Sequence, residues 1–400
     1  MSEEYLFADL KVLDVGSWIA APVATTMLAD FGAQVIKVEL PGLGDAYRNF
    51  SATAGAPDSA TNYAWQMDAR NKRSLSLNLK TQEGRDILQR LIQEADVYVT
   101  NHSPQMRENW SLTYADLQAL NPRLIYAALT AYGETGPERD REGFDLVAYW
   151  SRSGLMDLVR APGAAPAPAL PGMGDHPTAV AMYAGILTAL LRRHKTGAGS
   201  FVHTSLLANG MWSASCIAQA AFVESEFGRY RRMLGHLFTR VMYETEDHRW
   251  LQFTMVRAED ELAAMFAVLG LPELLVDERF AEPEKRLAAG DQLVALIRPV
   301  IATRPSAEWL AEFNAAGVPV ALVAEVEELP TDQQVIANNM VRAPGDTGLD
   351  QLLKPPVNVE GLALVTPSRA PEIGEHTDEI LQEMGYADAE IAALRNRGVL

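Results

Sequence analysis

Asp175 stands in Gly172-Met173-Gly174-Asp175-His176-Pro177-Thr178, directly ahead of a strongly apolar run from His176 to Arg193. Pro177 and that run mark a helix start, which places Asp175 at the N-cap. Exposed N–H groups and the helix dipole favour the anionic form of a carboxylate there. An ionised carboxylate suits a nucleophile, whereas a general acid needs the opposite tuning. The two glycines free the backbone to take positive φ and leave room for a bulky ligand. An aspartate that merely caps a helix carries the same signature, so spacing alone leaves both readings open.

Other chemistry-bearing residues are sparser. Arg70-Asn71-Lys72-Arg73-Ser74, with Arg48 and Lys80, forms the densest positive patch of the first hundred residues. It is suited to phosphate groups or to a solvated strand end. Asp145 in Gly143-Phe144-Asp145 precedes a helix and reads as an N-cap or as a second acid facing the site. His102 follows a strand end, in Asn101-His102-Ser103-Pro104. Arg229, Arg231, Arg232 and Arg240 fit an anionic acceptor or a solvated helix face, and Trp250, Phe253 and Met255 read as core.

Several chemistries are excluded or weakened. Cys216 is the only cysteine, which rules out an internal disulfide, and seven scattered histidines offer no zinc spacing. No G-x-G-x-x-G, Walker loop or G-x-S-x-G elbow is present. Val15-Gly16-Ser17-Trp18 puts a tryptophan where a pyrophosphate would need space. A net charge of −18 argues against nucleic acid as partner. The apolar stretch Thr178 to Leu191 is too short for a membrane span, and residues 1–9 carry no basic signal-peptide region, so a cytoplasmic protein without a membrane partner is expected.

The elements that must position these residues follow from period and punctuation. Strands are expected at Lys11–Val15, Gln34–Val38, Ser74–Asn78, Asp96–Thr100 and Leu124–Ala128. Helices alternate with them at Pro22–Asp30, Gln82–Ala95 and Tyr114–Leu120. That alternation implies an α/β fold with a Rossmann-like, doubly wound parallel sheet, ligands binding at the strand carboxyl ends. At 400 residues two domains are expected. Residues 1–205 form a large one with 327–400 packing back on it, a connecting helix covers 206–228 (Leu206 to Glu226 by pattern), and 229–326 form a smaller α+β domain. Within the small domain Trp250–Met255 is strand-like and acidic helices fill Glu259–Gly317.

Taken in order, further segments resemble one family, the class III coenzyme A transferases, with the α-methylacyl-CoA racemases as cousins. They are Leu13-Asp14-Val15 through Ala21-Pro22, Leu28-Ala29-Asp30-Phe31-Gly32-Ala33-Gln34-Val35-Ile36-Lys37-Val38-Glu39, Pro41-Gly42-Leu43-Gly44-Asp45 with Arg48, Asn71-Lys72-Arg73-Ser74, Asn121-Pro122-Arg123-Leu124-Ile125, Gly133-Glu134-Thr135-Gly136-Pro137, Gly174-Asp175 and Gly374-Glu375-His376-Thr377. The resemblance implies that Asp175 attacks an acyl-CoA, giving a mixed anhydride and then an aspartyl-CoA thioester that a free carboxylic acid resolves. Coenzyme A enters as a thioester substrate, with no prosthetic group and no metal. By position it implies CoA contacts at Ala20, at Leu77, Asn78, Leu79 and Lys80, at Asn101, His102 and Ser103, and at Arg141 and Phe144, with Arg48, Arg73 and Arg107 as cationic candidates. Amides of Gly172 to Gly174 would stabilise oxyanions. The resemblance also implies an interlocked homodimer. Intramolecular CoA transfer within a dicarboxylate and 2-methylacyl-CoA racemisation are the alternatives. Phe144 stands where the racemases carry a histidine base, which disfavours racemisation. Leu40 and Arg107 depart from the family's arginine pattern, and no glycine-rich lid is visible, which argues against oxalate and formate.

Overall fold

The computed structural model describes residues 5–53, 55–161, 163–228, 237–254, 256 and 258–400. The chain divides into two compact units, one of residues 1–158, 167–218 and 336–400, the other of 159–166 and 219–335.

The first unit is built on β1 (Lys11–Val15), α1 (Ala20–Asp30), β2 (Gln34–Glu39), α2 (Tyr63–Ala69), β3 (Lys72–Ser76), α3 (Gln82–Glu94), β4 (Val97–Thr100), α4 (Pro104–Asn109), α5 (Tyr114–Leu120), β5 (Ile125–Thr130), α6 (Leu155–Leu158), α7 (Asp175–Thr196), β6 (Ser200–Ser205), α8 (Leu206–Ser213) and α9 (Ser215–Ala221, reaching into the second unit). The six strands pair in parallel in the order β3-β2-β1-β4-β5-β6. Chain order reverses between β1 and β4, so the helices that follow those strands leave on opposite faces and a crevice opens at their carboxyl ends. Alternate β1 side chains feed two cores: Val12 packs with Ala24, Met182 and Ile186 on one face, Leu13 and Val15 with Ile87, Leu117 and Tyr126 on the other. Residues Thr377–Glu383 and Asp388–Asn396 add two helices to the second face through Ile380, Leu381, Ile391 and Leu394.

Three local expectations are corrected. β3 begins at Lys72 rather than Ser74, because Lys72 pairs with Val35 and sends its ammonium to Asp14 at 2.8 Å. The Leu77–Lys80 stretch therefore leaves the sheet. The stretch expected as one helix from Leu206 is two, α8 and α9, parted at Ala214 where Ser213 bonds the Tyr149 hydroxyl and Gly210 lies on the Tyr149 carbonyl. A sixth strand, β6, was not expected; its exposed Phe201 alternates with half-buried Val202 and follows Gly197, which ends α7 at φ 75°.

In the second unit a three-stranded antiparallel sheet of Met242–Glu244, Trp250–Phe253 and Val320–Leu322 packs with helices at Glu259–Val268, Gly290–Ile301 and Ser306–Ala315. Phe253 is core with Trp309 and Phe313, whereas Trp250 is 42% exposed and corrects its core assignment. Met255, Arg229, Arg231 and Arg232 lie outside the described residues, and Arg240 is exposed. Among the described residues no helix is long and apolar enough to cross a membrane.

Candidate active site

α7 starts one residue earlier than its sequence pattern suggested. Gly174 is the N-cap and Asp175 is the first helical residue, making no side-chain cap. Its carboxylate caps none of the first-turn amides, and among the described residues no hydrogen bond reaches it. Of the two glycines only Gly172 takes positive φ, at 87°. Gly174 is required for another reason: a Cβ there would sit 2.6 Å from Cγ of Tyr149.

The loop carrying Asp175 is held on both sides. Asp145, 3% exposed at the start of the π-helical turn Leu146–Ser151, accepts the amides of Gly172 at 2.8 Å and Gly174 at 3.1 Å on Oδ2. It stands at the expected N-cap position but makes no side-chain cap bond there, and serves instead as the loop's anchor. On the other side His176 Nδ1 meets the Gly172 carbonyl at 3.0 Å, and its Nε2 lies 3.3 Å from Oδ1 of buried Asp68. Tyr47 donates its hydroxyl to Asp68 Oδ2 at 2.7 Å. His176, Asp68 and Tyr47 were missed in the sequence. His176 is adjacent to Asp175, but Asp68 and Tyr47 arrive from distant segments with no motif of their own.

These arrangements overturn two expectations about charge. Burial and the neighbouring Asp145 raise the Asp175 carboxyl to about 7, with Asp68 adding to the rise and His176 opposing it. The helix dipole does not hold it in the usual carboxylate range. The amides expected to form an oxyanion hole are occupied: Gly172 and Gly174 bind Asp145, and Met173 binds the Leu170 carbonyl at 3.3 Å.

At the β1/β4 switch point lies a cavity of about 260 Å³ lined by Gly16, Ser17, Leu77, Leu79, Lys80 and His102, among others. Four of the expected CoA contacts thus line one cavity. Asn101 clamps the loop after β1, accepting Ser17 N–H at 3.0 Å and donating to Ser17 C=O at 2.8 Å. Trp18, at φ 65°, is held by its amide on Asp45 and meets the exposed Phe144 ring edge-on, centroids 5.1 Å apart. Ala20 is buried at the start of α1, and Ser103 caps α4 through Met106 N–H. Asn78 ties to the C-terminal residues Gly398 and Val399. Burial drives the His102 imidazole down to about 4, so it is neutral.

Apart from Lys80, the cations expected to form a phosphate patch are engaged in ion pairs. Arg70 binds Asp30, Lys72 binds Asp14 in full burial, and Arg48 grips Glu39 with both Nε and Nη2. Arg73 reaches Glu379 and Glu383 at 2.7 Å, and Arg107, 4% exposed, is paired with Glu134. Arg141 pairs with Glu138 on the surface. Lys80 is exposed beside the cavity, and among the described residues has no ion-pair partner.

Residues 7–377 match the profile of CoA-transferase family III. The chain is 32% identical over 402 residues to an (R)-2-hydroxy-4-methylpentanoate CoA-transferase of Clostridioides difficile, covering 99% of each chain. It is 32% identical over 396 residues to a cinnamoyl-CoA:phenyllactate CoA-transferase of Clostridium sporogenes, covering 97% of this chain and 96% of that one. A crystal structure of a CAIB/BAIF family protein from Brucella suis superposes with a TM-score of 0.81 at 27% identity, covering 96% of this chain and all of the other. A half-buried carboxylate held at a helix start, a crevice at the strand switch point and these whole-length similarities agree, and the protein belongs to CoA-transferase family III.

Proposed function

We propose that this transferase moves coenzyme A from an acyl-CoA to a separate free carboxylic acid through covalent intermediates on Asp175. The observation that carries the reading is the Asp175 carboxylate itself, half-buried, without a hydrogen bond among the described residues, and carried on a loop whose Gly172 and Gly174 amides and Gly172 carbonyl are engaged. A carboxylate Oδ attacks the thioester carbonyl carbon, the C–S bond breaks and coenzyme A leaves as the thiolate. The thiolate then attacks the aspartyl carbonyl of the anhydride, releasing the donor acid as its carboxylate and leaving an aspartyl-CoA thioester. The acceptor carboxylate attacks that thioester, and the same two steps in reverse release the new acyl-CoA and free Asp175. Covalent relay replaces one difficult exchange with a series of activated acyl transfers.

The thioester's CoA portion is assigned to the crevice of Leu77, Leu79, Lys80 and His102, with Phe144 and Trp18 at the loops that flank it. Exposed Lys80 is the cation available there to a phosphate. The ion-paired Arg48, Arg73 and Arg107 shape the fold around it. The proposed assembly is an interlocked homodimer, which light scattering would report as twice the 43.8 kDa of one chain.

Incubation with an acyl-CoA and a panel of isotopically labelled free acids tests the transfer. Label appearing in acyl-CoA with at least one acid is expected. Absence of exchange with every acid, alongside CoA migration within a dicarboxyl-CoA, indicates the intramolecular reaction instead. Deuterium entering the α-carbon from D₂O without any acceptor acid indicates racemisation.

A further inference from the structure

The nucleophile sits among carboxylates. Asp145 approaches Asp175 from the loop after β5, Asp68 from α2, and the Tyr47 phenol from the turn Ala46–Ala52. An anion that must attack a thioester, then share its site with a thiolate and with two carboxylate substrates, faces repulsion at every step. Among the described residues, the charged groups acting on Asp175 include one that is positive, His176.

Resting on the reading of Asp175 as nucleophile, we propose that His176, braced by Asp68 and Tyr47, is the positioning residue of the reaction. It holds the Gly172 carbonyl and supplies a positive charge that favours the Asp175 anion against its acidic neighbours. The geometry is that of a hydrogen-bonded chain. Tyr47 donates to Asp68 Oδ2, Asp68 Oδ1 takes the Nε2 proton of His176, and the Nδ1 proton goes to Gly172 C=O. Both ring nitrogens therefore face acceptors, the arrangement of an imidazolium. Burial opposes that charge, but the Asp68 hydrogen bond and charge raise the imidazole to about 9, with Gly172 and Asp175 adding to the rise. Gly172 is thus gripped at its amide by Asp145 and at its carbonyl by His176, two contacts that fix where the next helix begins.

Coupling between two charges is reciprocal, so each should report on the other. His176→Asn keeps a donor for the Gly172 carbonyl and removes the charge. Its pH profile of kcat/KM should show the acid limb displaced upward by half a pH unit or more. His176→Ala should show the same displacement together with a further fall of about tenfold in kcat, while KM for the acyl-CoA changes no more than about threefold. In the folded protein with ¹³C-labelled histidine, the His176 resonance should titrate near pH 9, and Asp175→Asn should lower that midpoint. A His176 resonance titrating near its ordinary 6.5 and unmoved by Asp175→Asn overturns the proposal, whatever the histidine variants do. So does a pair of histidine variants that lose activity with the acid limb in place. Retention of transfer by Asp175→Asn would instead sink the covalent mechanism, an outcome separate from the charge coupling.

Discussion

Asp175 carries a tension between stability and reactivity. Its carboxyl is raised to about 7 in the folded protein, against an ordinary value of 3.8. A folded-state value above the unfolded one means the folded protein holds the proton more tightly between those limits, so stability is lost as pH rises from about 4 to 7. Asp175→Asn removes that loss. The variant should be more stable than the parent at pH 8 by about 2 kcal/mol, discounted for partial exposure. The two should converge below about pH 4, as denaturant titrations at both pH values would show. The parent's transfer rate should meanwhile climb as pH passes 7, because the anion is the nucleophile. The start of α7 was legible in the sequence to within one residue from its glycines and its proline, whereas a nucleophilic role for Asp175 came only from the family resemblance. The charge state of Asp175 was not legible, because that depends on Asp145 and Asp68, which lie 30 and 107 residues away in the chain. The ion pairs of the basic residues were hidden for the same reason. Arg48, Arg73 and Arg107 look available in the chain, and their carboxylate partners Glu39, Glu379, Glu383 and Glu134 become visible only once it folds.

The elements around Asp175 are tuned by contact as much as by propensity. β1, β2 and α5 could be read from β-branched runs and capping residues, because hydrophobic period decides them locally. The start of β3 could not, since a buried lysine ends up in a strand only when a partner such as Asp14 awaits it. Asp14 lies between Lys72 at 2.8 Å and Lys37 at 3.9 Å, and Lys37 reaches the Gly16 carbonyl at 3.0 Å and Asp45 at 2.8 Å. This buried network pins the turn after β1, the floor of the proposed CoA crevice. Asp14→Ala would leave the buried Lys72 ammonium without its carboxylate, while Lys37 keeps Asp45, and should cost about 3–5 kcal/mol, measured as a lowered midpoint in urea. Gly174→Ala tests a different contact. A methyl group against Tyr149 must displace the ring or the start of α7, costing about 1–3 kcal/mol. Because α7 carries the nucleophile, the variant's transfer rate should fall further than its stability alone accounts for.

The first unit is closed by its own C-terminal segment. Ile380, Leu381, Ile391, Leu394, Val399 and Leu400 are all buried against the sheet, and His376 and Thr377 bond β3 at Ser74 and Ser76. At roughly 1.5–3 kcal/mol for each large apolar side chain, their burial rivals the 5–15 kcal/mol that separates a folded domain from its unfolded chain. Truncation after Gly374 should therefore abolish cooperative unfolding rather than merely shift its midpoint. A truncated chain that melts like the parent would refute that assignment. The parallel, doubly wound type of the sheet was legible from strand–helix alternation. The edge strand β6 was not, because a half-exposed strand of alternating character carries a weak signal squeezed between α7 and the helix that begins at the next residue, Leu206.

The account turns on a covalent bond to Asp175. Mixing the enzyme with acyl-CoA, quenching with hydroxylamine or borohydride and mapping peptides by mass spectrometry tests it directly. The peptide containing Asp175 should gain the mass of a hydroxamate or show reduction of the side chain to an alcohol, only when acyl-CoA is present. An unmodified Asp175 peptide from enzyme that is turning over, in the presence of either trapping reagent, would contradict the mechanism.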